Sequence, residues 1–277
     1  MKKFGILGNP LSHSLSPAMH SAAIKHLNLN LEFEKWEIPI ELLEDFFLNL
    51  EENEIIGGCV TIPFKEKLFN YCSDLDDSVK RIGAINWFRK EKQGVKGFNT
   101  DYIGFYNSLP EQIKGSISDI NIVVIGAGGS SKAVVESLLL EGSEKLSIIN
   151  RTLENANNIS SKYPDSNIIA SKLGDSNSEK LISDANLIIN TTSLGMISGP
   201  NPNSSIIDDM KLNKDVVGFD LVYSPLKTPF LIKIENSGGK AITGISMLIH
   251  QAIEGLKLIA GENCPYEIME KSIISEL

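Results

Sequence analysis

The run Gly126-Ala127-Gly128-Gly129-Ser130-Ser131-Lys132 follows the apolar stretch Asn121 to Ile125 and opens into Ala133 to Leu140. A β-branched run, a glycine turn and a helical pattern in that order constrain this part of the chain to one unit of a parallel α/β sheet. Glycines at the first and third positions let the backbone turn sharply and approach a pyrophosphate, whose charge then rests on the free N–H groups of a helix N-terminus. The next β-branched run, Leu146 to Ile149, ends in Asn150-Arg151-Thr152, with no acid at its tip. A free ribose 2′-OH calls for Asp or Glu roughly 20 residues beyond the glycines, whereas a 2′-phosphate calls for an arginine. Arg151 stands there, so the pattern points to a dinucleotide and favours NADP over NAD.

With 277 residues the chain has room for two α/β domains, at roughly 100 to 200 residues each. A formal net charge of −9 and the lack of any long basic run argue against a nucleic-acid partner, while allowing a small anionic ligand held by a few local cations. Cys59, Cys72 and Cys264 are too few and too scattered for a disulfide framework, and no Cys-x-x-Cys or paired-His spacing appears, so no metal is expected. The first apolar run is short and broken by Gly5 and Gly8, and no stretch approaches a membrane span. These features predict a soluble cytoplasmic protein without a membrane partner, monomer or homodimer.

Along the chain, strands are predicted at Phe4 to Leu7, Glu32 to Ile38, Ile56 to Ile62, Ala84 to Arg89 and Gly94 to Phe98, with helices at Pro17 to Leu27, Glu41 to Leu50 and Lys65 to Tyr71. Ser16 is expected to cap the first helix ahead of Pro17, and Thr100 or Asp101 a helix running to about Leu109. Alternating strands and helices imply a mostly parallel sheet. Beyond the glycine turn, Ile168 to Ala170, Leu187 to Asn190, Val216 to Val222 and Lys240 to Ile242 complete an open dinucleotide fold. Asp175 to Lys180 reads as a loop or a helix start. Two further helical patterns, Ser246 to Ile259 and Tyr266 to Glu276, are predicted to return to the first domain. The expected division is therefore residues 1–101 plus 245–277 for substrate and 102–244 for the cofactor.

Ligands of open α/β sheets bind beyond the carboxyl ends of the strands. Collected there are Ser14 and Ser16 after the first strand, Thr61 and Lys65 after the third, Asn86 in Gly83-Ala-Ile-Asn86, and Asp101 after the Gly94 to Phe98 strand. Singly these residues have plain readings, as caps or as a solvated lysine. Together their hydroxyl, amide, ammonium and carboxylate groups suit a small polyhydroxylated acid: serines for its carboxylate, Asn86 and Asp101 for its hydroxyls, and Lys65 near a reacting oxygen.

These motifs resemble the shikimate dehydrogenase family over nearly the whole chain. The carriers are Gly8-Asn-Pro10-Leu-Ser-His13-Ser14-Leu-Ser16-Pro17, Val60-Thr61-Ile-Pro63-Phe-Lys65, Gly83-Ala-Ile-Asn86, Gly97-Phe-Asn99-Thr100-Asp101, the glycine turn, Asn190-Thr-Thr-Ser-Leu-Gly195-Met196, Asp220-Leu221-Val-Tyr223 and Gly244-Ile-Ser-Met247-Leu-Ile-His-Gln251. The resemblance implies Lys65 and Asp101 as the catalytic pair. It implies substrate contacts from Ser14, Ser16, Thr61, Asn86, Tyr223 and Gln251. Cofactor contacts are implied for Asp77, Gly126, Ala127, Gly128, Gly129, Ser130, Asn150, Arg151, Thr152, Leu221 and Gly244. Trp87 stands where the family usually has Thr, Lys132 where Arg is common, Ser21 where Asn often follows His20, and Ser246 where Gly is common.

The implied reaction is reversible hydride transfer between NADPH and the C3 carbonyl of 3-dehydroshikimate, with Lys65 and Asp101 handling the proton. Two alternatives remain at this level. One is a quinate/shikimate dehydrogenase with mixed NAD and NADP use, distinguished by turnover of quinate with NAD. The other is a non-catalytic dinucleotide-binding sensor, which has no need of a retained Lys65 and Asp101.

Overall fold

A computed structural model describes residues 1–274 of the chain, apart from 198 and 200. The Cα positions divide into two compact units, Met1–Gly104 with Leu248–Leu277, and Phe105–Met247. In the first unit β1 (Lys2–Gly8) is buried from Phe4 to Leu7, and α1 (Ser16–His26), β2 (Leu31–Glu37), α2 (Leu43–Leu48) and β3 (Ile55–Val60) follow it. The unit continues with β4 (Asp74–Leu75), α3 (Asp77–Ile82), β5 (Trp87–Glu91), β6 (Gly94–Phe98) and the start of α4 (Asp101–Ser108). The sheet order is β2-β1-β3-β5-β6-β4. Parallel pairing runs through β2, β1 and β3, and again between β4 and β6. The middle is antiparallel, because only Lys92 and Gln93 separate β5 from β6, too short a link for a crossover. Gly94, at φ +97°, takes the left-handed conformation this hairpin needs. The short β4 and α3, the latter capped by Asp76 through the Ser78 N–H (3.0 Å), are additions to the sequence reading.

Two local expectations change and a third holds in part. Ser16 is the first helical residue rather than the cap: the turn that ties the Ser14 N–H to the Leu11 carbonyl runs on through Leu15 in helical conformation, and Ser14 Oγ accepts the Ser16 N–H at 3.3 Å. Thr100 does hold the cap position of α4, its carbonyl accepting the Gly104 N–H at 2.9 Å, but its hydroxyl turns to Gln251, and the side chain that meets the first helical N–H is Asn99, whose Oδ1 takes the Asp101 N–H at 3.0 Å. Finally, Lys65 precedes a five-residue 3-10 turn, Lys67–Tyr71, and not an α-helix. The N–H groups of Lys67 and Leu68 converge on the Phe64 carbonyl, which closes the turn tightly.

The second unit holds α5 (Glu111–Lys114), β7 (Ile122–Ile125), α6 (Gly129–Leu140), β8 (Leu146–Asn150), α7 (Leu153–Ser160) and β9 (Ile168–Lys172). It continues through α8 (Ser176–Ser183), β10 (Leu187–Asn190), β11 (Val217–Asp220), α9 (Pro229–Asn236) and β12 (Lys240–Thr243). All neighbours pair parallel in the order β12-β11-β10-β7-β8-β9, the doubly wound arrangement. Ile122 and Val124 enter one core and Val123 and Ile125 the other, so both faces of β7 are buried and its sequence is uniformly apolar. Asp175 caps α8 through the Ser178 N–H (2.7 Å), which makes the Asp175 to Lys180 segment a helix start.

The chain re-enters the first unit within α10 (Ile245–Ala260) and ends with α11 (Tyr266–Ile273), which packs on α1. Of the helix expected to reach Glu276, residues 275–277 lie outside the described residues. Among the described residues no helix is long and apolar enough to cross a membrane.

Candidate active site

In the first unit the ends of β3, β5 and β6 converge on Asp101. Its carboxylate is 7% exposed and forms an ion pair through Oδ2 with the Lys65 ammonium, while Oδ1 accepts the Asn86 amide N–H at 2.7 Å. Asn86 cannot turn over, because its own Oδ1 accepts the Thr100 backbone N–H at 2.7 Å. Thr100 Oγ1 receives a second Asn86 contact at 3.1 Å and donates to the Gln251 carbonyl at 2.9 Å, which ties α10 to the same corner. Asn99 locks the loop from below by donating to the Ala84 carbonyl at 2.9 Å. A carboxylate so satisfied stays ordered, and it holds one lysine ammonium at a place that retains 18% solvent exposure.

Ser16 is buried and Ser14 half-buried at the start of α1. The Thr61 N–H donates to the Leu7 carbonyl at 2.9 Å, and a side chain at Gly8 would collide with the Thr61 methyl, so glycine there makes room for the threonine. Gln251 Oε1 accepts from Trp87 Nε1 at 3.4 Å and lies 3.4 Å from Asn86 Nδ2, whose two hydrogens are directed at Asp101 and Thr100. The structure thus gathers Lys65, Asn86, Asp101 and Gln251 into one bonded cluster. Asp77 is apart from it: 81% exposed on the first turn of α3, it pairs with Lys80 at 3.0 Å. Cys59, in β3, has its thiol pushed up to about 12 by burial and is no nucleophile at neutral pH.

In the second unit Gly126 takes φ +113°, and a Cβ there would collide with Thr191 Oγ1. Gly128 is the N-cap of α6 and offers no side chain to its first N–H groups; a Cβ at that position would meet nothing within 4 Å. An open backbone face in front of a twelve-residue helix is a fitting seat for a pyrophosphate. Arg151 is exposed just past the tip of β8, and among the described residues no carboxylate engages it. Asn150 Nδ2 fastens the turn by donating to the Thr152 carbonyl at 2.8 Å. On the other side of β7, Gly244 and Leu221 meet at the tips of β12 and β11, where a Cβ on Gly244 would collide with the Leu221 carbonyl. Tyr223 lies two residues beyond Leu221 in this unit.

Residues 6–88 match the family described as Shikimate dehydrogenase substrate binding domain, and residues 108–218 that described as Shikimate / quinate 5-dehydrogenase. A shikimate dehydrogenase (NADP(+)) of Methanococcus aeolicus is 38% identical over 277 residues, covering 100% of this chain and 98% of the relative. The chain belongs to the shikimate dehydrogenase family. Among solved structures, a shikimate dehydrogenase in complex with NADP+ superposes with a TM-score of 0.90 at 33% identity, over 100% of this chain and 96% of the other. The Thermus thermophilus shikimate 5-dehydrogenase, in complex with NADP(H) and shikimate, gives 0.82 at 29% identity, over 100% of both chains.

For a shikimate dehydrogenase, one group that sequence reasoning left without a role is Asp220. Its fully buried carboxylate accepts from Thr228 Oγ1 (2.6 Å), Asn190 Nδ2 (2.9 Å) and the Val222 N–H (3.0 Å), joining the tips of β10 and β11 to the start of α9. Burial pushes this carboxyl up to about 6 against the pull of those three donors. Thr228 also caps α9 through the Leu231 N–H (3.2 Å). The available signal was Thr228-Pro229, a helix start placed a few residues after a strand that ends in an acid.

Proposed function

We propose that this chain interconverts 3-dehydroshikimate and shikimate with NADPH and NADP+. The reading is carried by one observation, the Lys65–Asp101 ion pair held by Asn86 and Thr100 at the strand ends of the first unit. The first unit takes the substrate: Ser14 and Ser16 hold the carboxylate, and Thr61, Asn86, Asp101 and Gln251 bind ring hydroxyls. The second unit takes the cofactor, with the α6 N-terminus and Gly126 to Ser130 on the pyrophosphate, Asn150, Arg151 and Thr152 on the 2′-phosphate, and Leu221 and Gly244 at the nicotinamide side. The bound NADPH supplies the hydride to C3. Lys65 Nζ gives a proton to the C3 oxygen as negative charge develops there, so that the ketone becomes a secondary alcohol with atoms and charge in balance. Asp101 Oδ2 keeps Nζ aimed, and the residual exposure of Lys65 lets solvent restore the proton. In the reverse direction the same atom accepts it. Tyr223 completes the substrate contacts, and Asp77 the cofactor set, on the strength of their motifs. Free Cys59, Cys72 and Cys264 suit a reducing cytoplasm.

The test is absorbance at the nicotinamide band with shikimate and NADP+, with quinate and NAD+ as parallel arms. Turnover confined to shikimate and NADP+ is expected. Equal turnover of quinate with NAD+ would assign the broader quinate/shikimate activity, and no turnover with measurable NADP+ binding would assign a sensor.

A further inference from the structure

Trp87 is fully buried, and its ring is held on two sides. A Cβ on Gly255 would run into the indole, so the ring lies directly across α10 one turn beyond Gln251. The other contact is an edge-on packing against His20 with ring centres 5.6 Å apart. So fixed, the indole N–H reaches Gln251 Oε1 at 3.4 Å. An indole nitrogen only donates, so the amide atom facing it has to be oxygen. On the other side the Leu248 carbonyl only accepts, and Gln251 Nε2 donates to it at 2.8 Å. Both obligate partners select the same orientation of the amide. Asn86 Nδ2 lies 3.4 Å from the same oxygen, but its two hydrogens are directed at Asp101 and Thr100, which leaves the Trp87 indole as the donor on the oxygen side. Gln251 Nε2 keeps one further hydrogen with no protein acceptor among the described residues.

We propose that Trp87 is a positioning residue that locks the Gln251 amide, so that Gln251 meets the substrate as a hydrogen-bond donor to one of its oxygens. This deepens the functional reading and rests on Gln251 touching the substrate. The chain has two tryptophans, so its indole N–H region contains two resonances that Trp36→Phe and Trp87→Phe assign. Gln251→Leu is expected to shift the Trp87 indole resonance and speed its hydrogen exchange; an unmoved resonance would overturn the lock whatever the enzyme's substrate. Trp87→Phe keeps a ring against Gly255 and removes the donor. Its shikimate Kd and KM are expected to rise roughly three- to tenfold, the effect of one lost hydrogen bond, with the NADP+ KM unchanged. On a Gln251→Leu background the same change is expected to add nothing. An equal rise on both backgrounds would make Trp87 a packing residue only and overturn the inference. Gln251→Glu, which replaces the offered N–H with an acceptor, is expected to weaken shikimate more than Trp87→Phe does. Undiminished binding by that variant would overturn the donor assignment even if Trp87→Phe failed to fold. Should the native chain neither bind nor turn over shikimate, the substrate half of the inference falls with the functional reading, and the indole resonance still decides the lock.

Discussion

Lys65 and His20 are both basic side chains of the first unit, and their surroundings differ in kind. Lys65 has a carboxylate partner and partial access to water. Its replacement by Ala or Met leaves Asp101 bonded to Asn86, so the fold and NADP+ binding should survive while kcat falls about 10²- to 10⁴-fold, the worth of a positioned acid or base. Steady-state kinetics with a shikimate Kd measurement separates this from a binding role, which would raise Kd and spare kcat. His20 is fully buried, stacked on Phe33 and edge-on to Phe4 and Trp87, with neither ring nitrogen hydrogen-bonded. Burial alone lowers its pKa from 6.5 to about 3. The unfolded chain therefore takes up the proton first, so the neutral ring contributes its full stability above pH 6.5 and loses it progressively as the pH falls toward 3. The loss approaches ~1.4 kcal/mol per pH unit, about 2 kcal/mol by pH 5. His20→Phe cannot titrate, so urea melts of the two proteins at pH 7.5 and pH 5 should diverge by that amount in favour of the variant. Parallel pH curves would mean that the ring gains a partner in solution.

At the scale of elements, the cofactor residues proposed for the second unit lie where strands end and helices begin. β7 delivers Gly126 in a backbone conformation that few side chains tolerate, and α6 begins without a side-chain cap, leaving its first N–H groups for a ligand. The end of β8 presents Arg151 with no competing carboxylate among the described residues. Arg151→Ala should accordingly weaken NADP+ by about 1.5 to 3 kcal/mol, the range for charge-assisted hydrogen bonds, and barely alter NAD+. Titration of both cofactors checks this, and an equal loss for the two would make the arginine structural. The cap of α4 follows the same logic in the first unit. Because Asn99, and not Asp101, takes the first helical N–H, both carboxylate oxygens of Asp101 are left for Lys65 and Asn86.

For the molecule as a whole, chain connectivity makes the two units unequal. Phe105–Met247 is one continuous segment with six parallel strands and cores on both sheet faces. The first unit needs two segments, since α11 covers α1 and α10 supplies Gln251 and the glycine seat of Trp87. Expressed alone, residues 105–247 should melt cooperatively and retain NADP+ binding, whereas residues 1–104 should not fold, because they lack the helices that bury their apolar faces. Circular dichroism melts of the two fragments test this. A cooperative transition in residues 1–104 would show that α10 and α11 are dispensable for that core.

What the sequence determined by itself were features written in contiguous residues: the strand, glycine turn and helix of β7 and α6, the arginine after β8, and the motifs that bring serine, threonine, lysine, asparagine and aspartate to strand ends. Backbone conformation, periodicity and chain order are local properties, so they survive translation into one dimension. Tertiary structure alone decided the rest. The antiparallel β5–β6 pair follows from a link too short to cross over. Which polar atom lies beneath which N–H depends on where separate strands stop, and this moved the cap of α1, set Asn99 against the first N–H of α4 and gave Asp220 its three donors. Asn86 and Gln251 meet across 165 positions, and Trp87 finds its seat at a glycine on the same returning helix. Such contacts join groups whose proximity comes from packing, and no spacing rule along the chain encodes it.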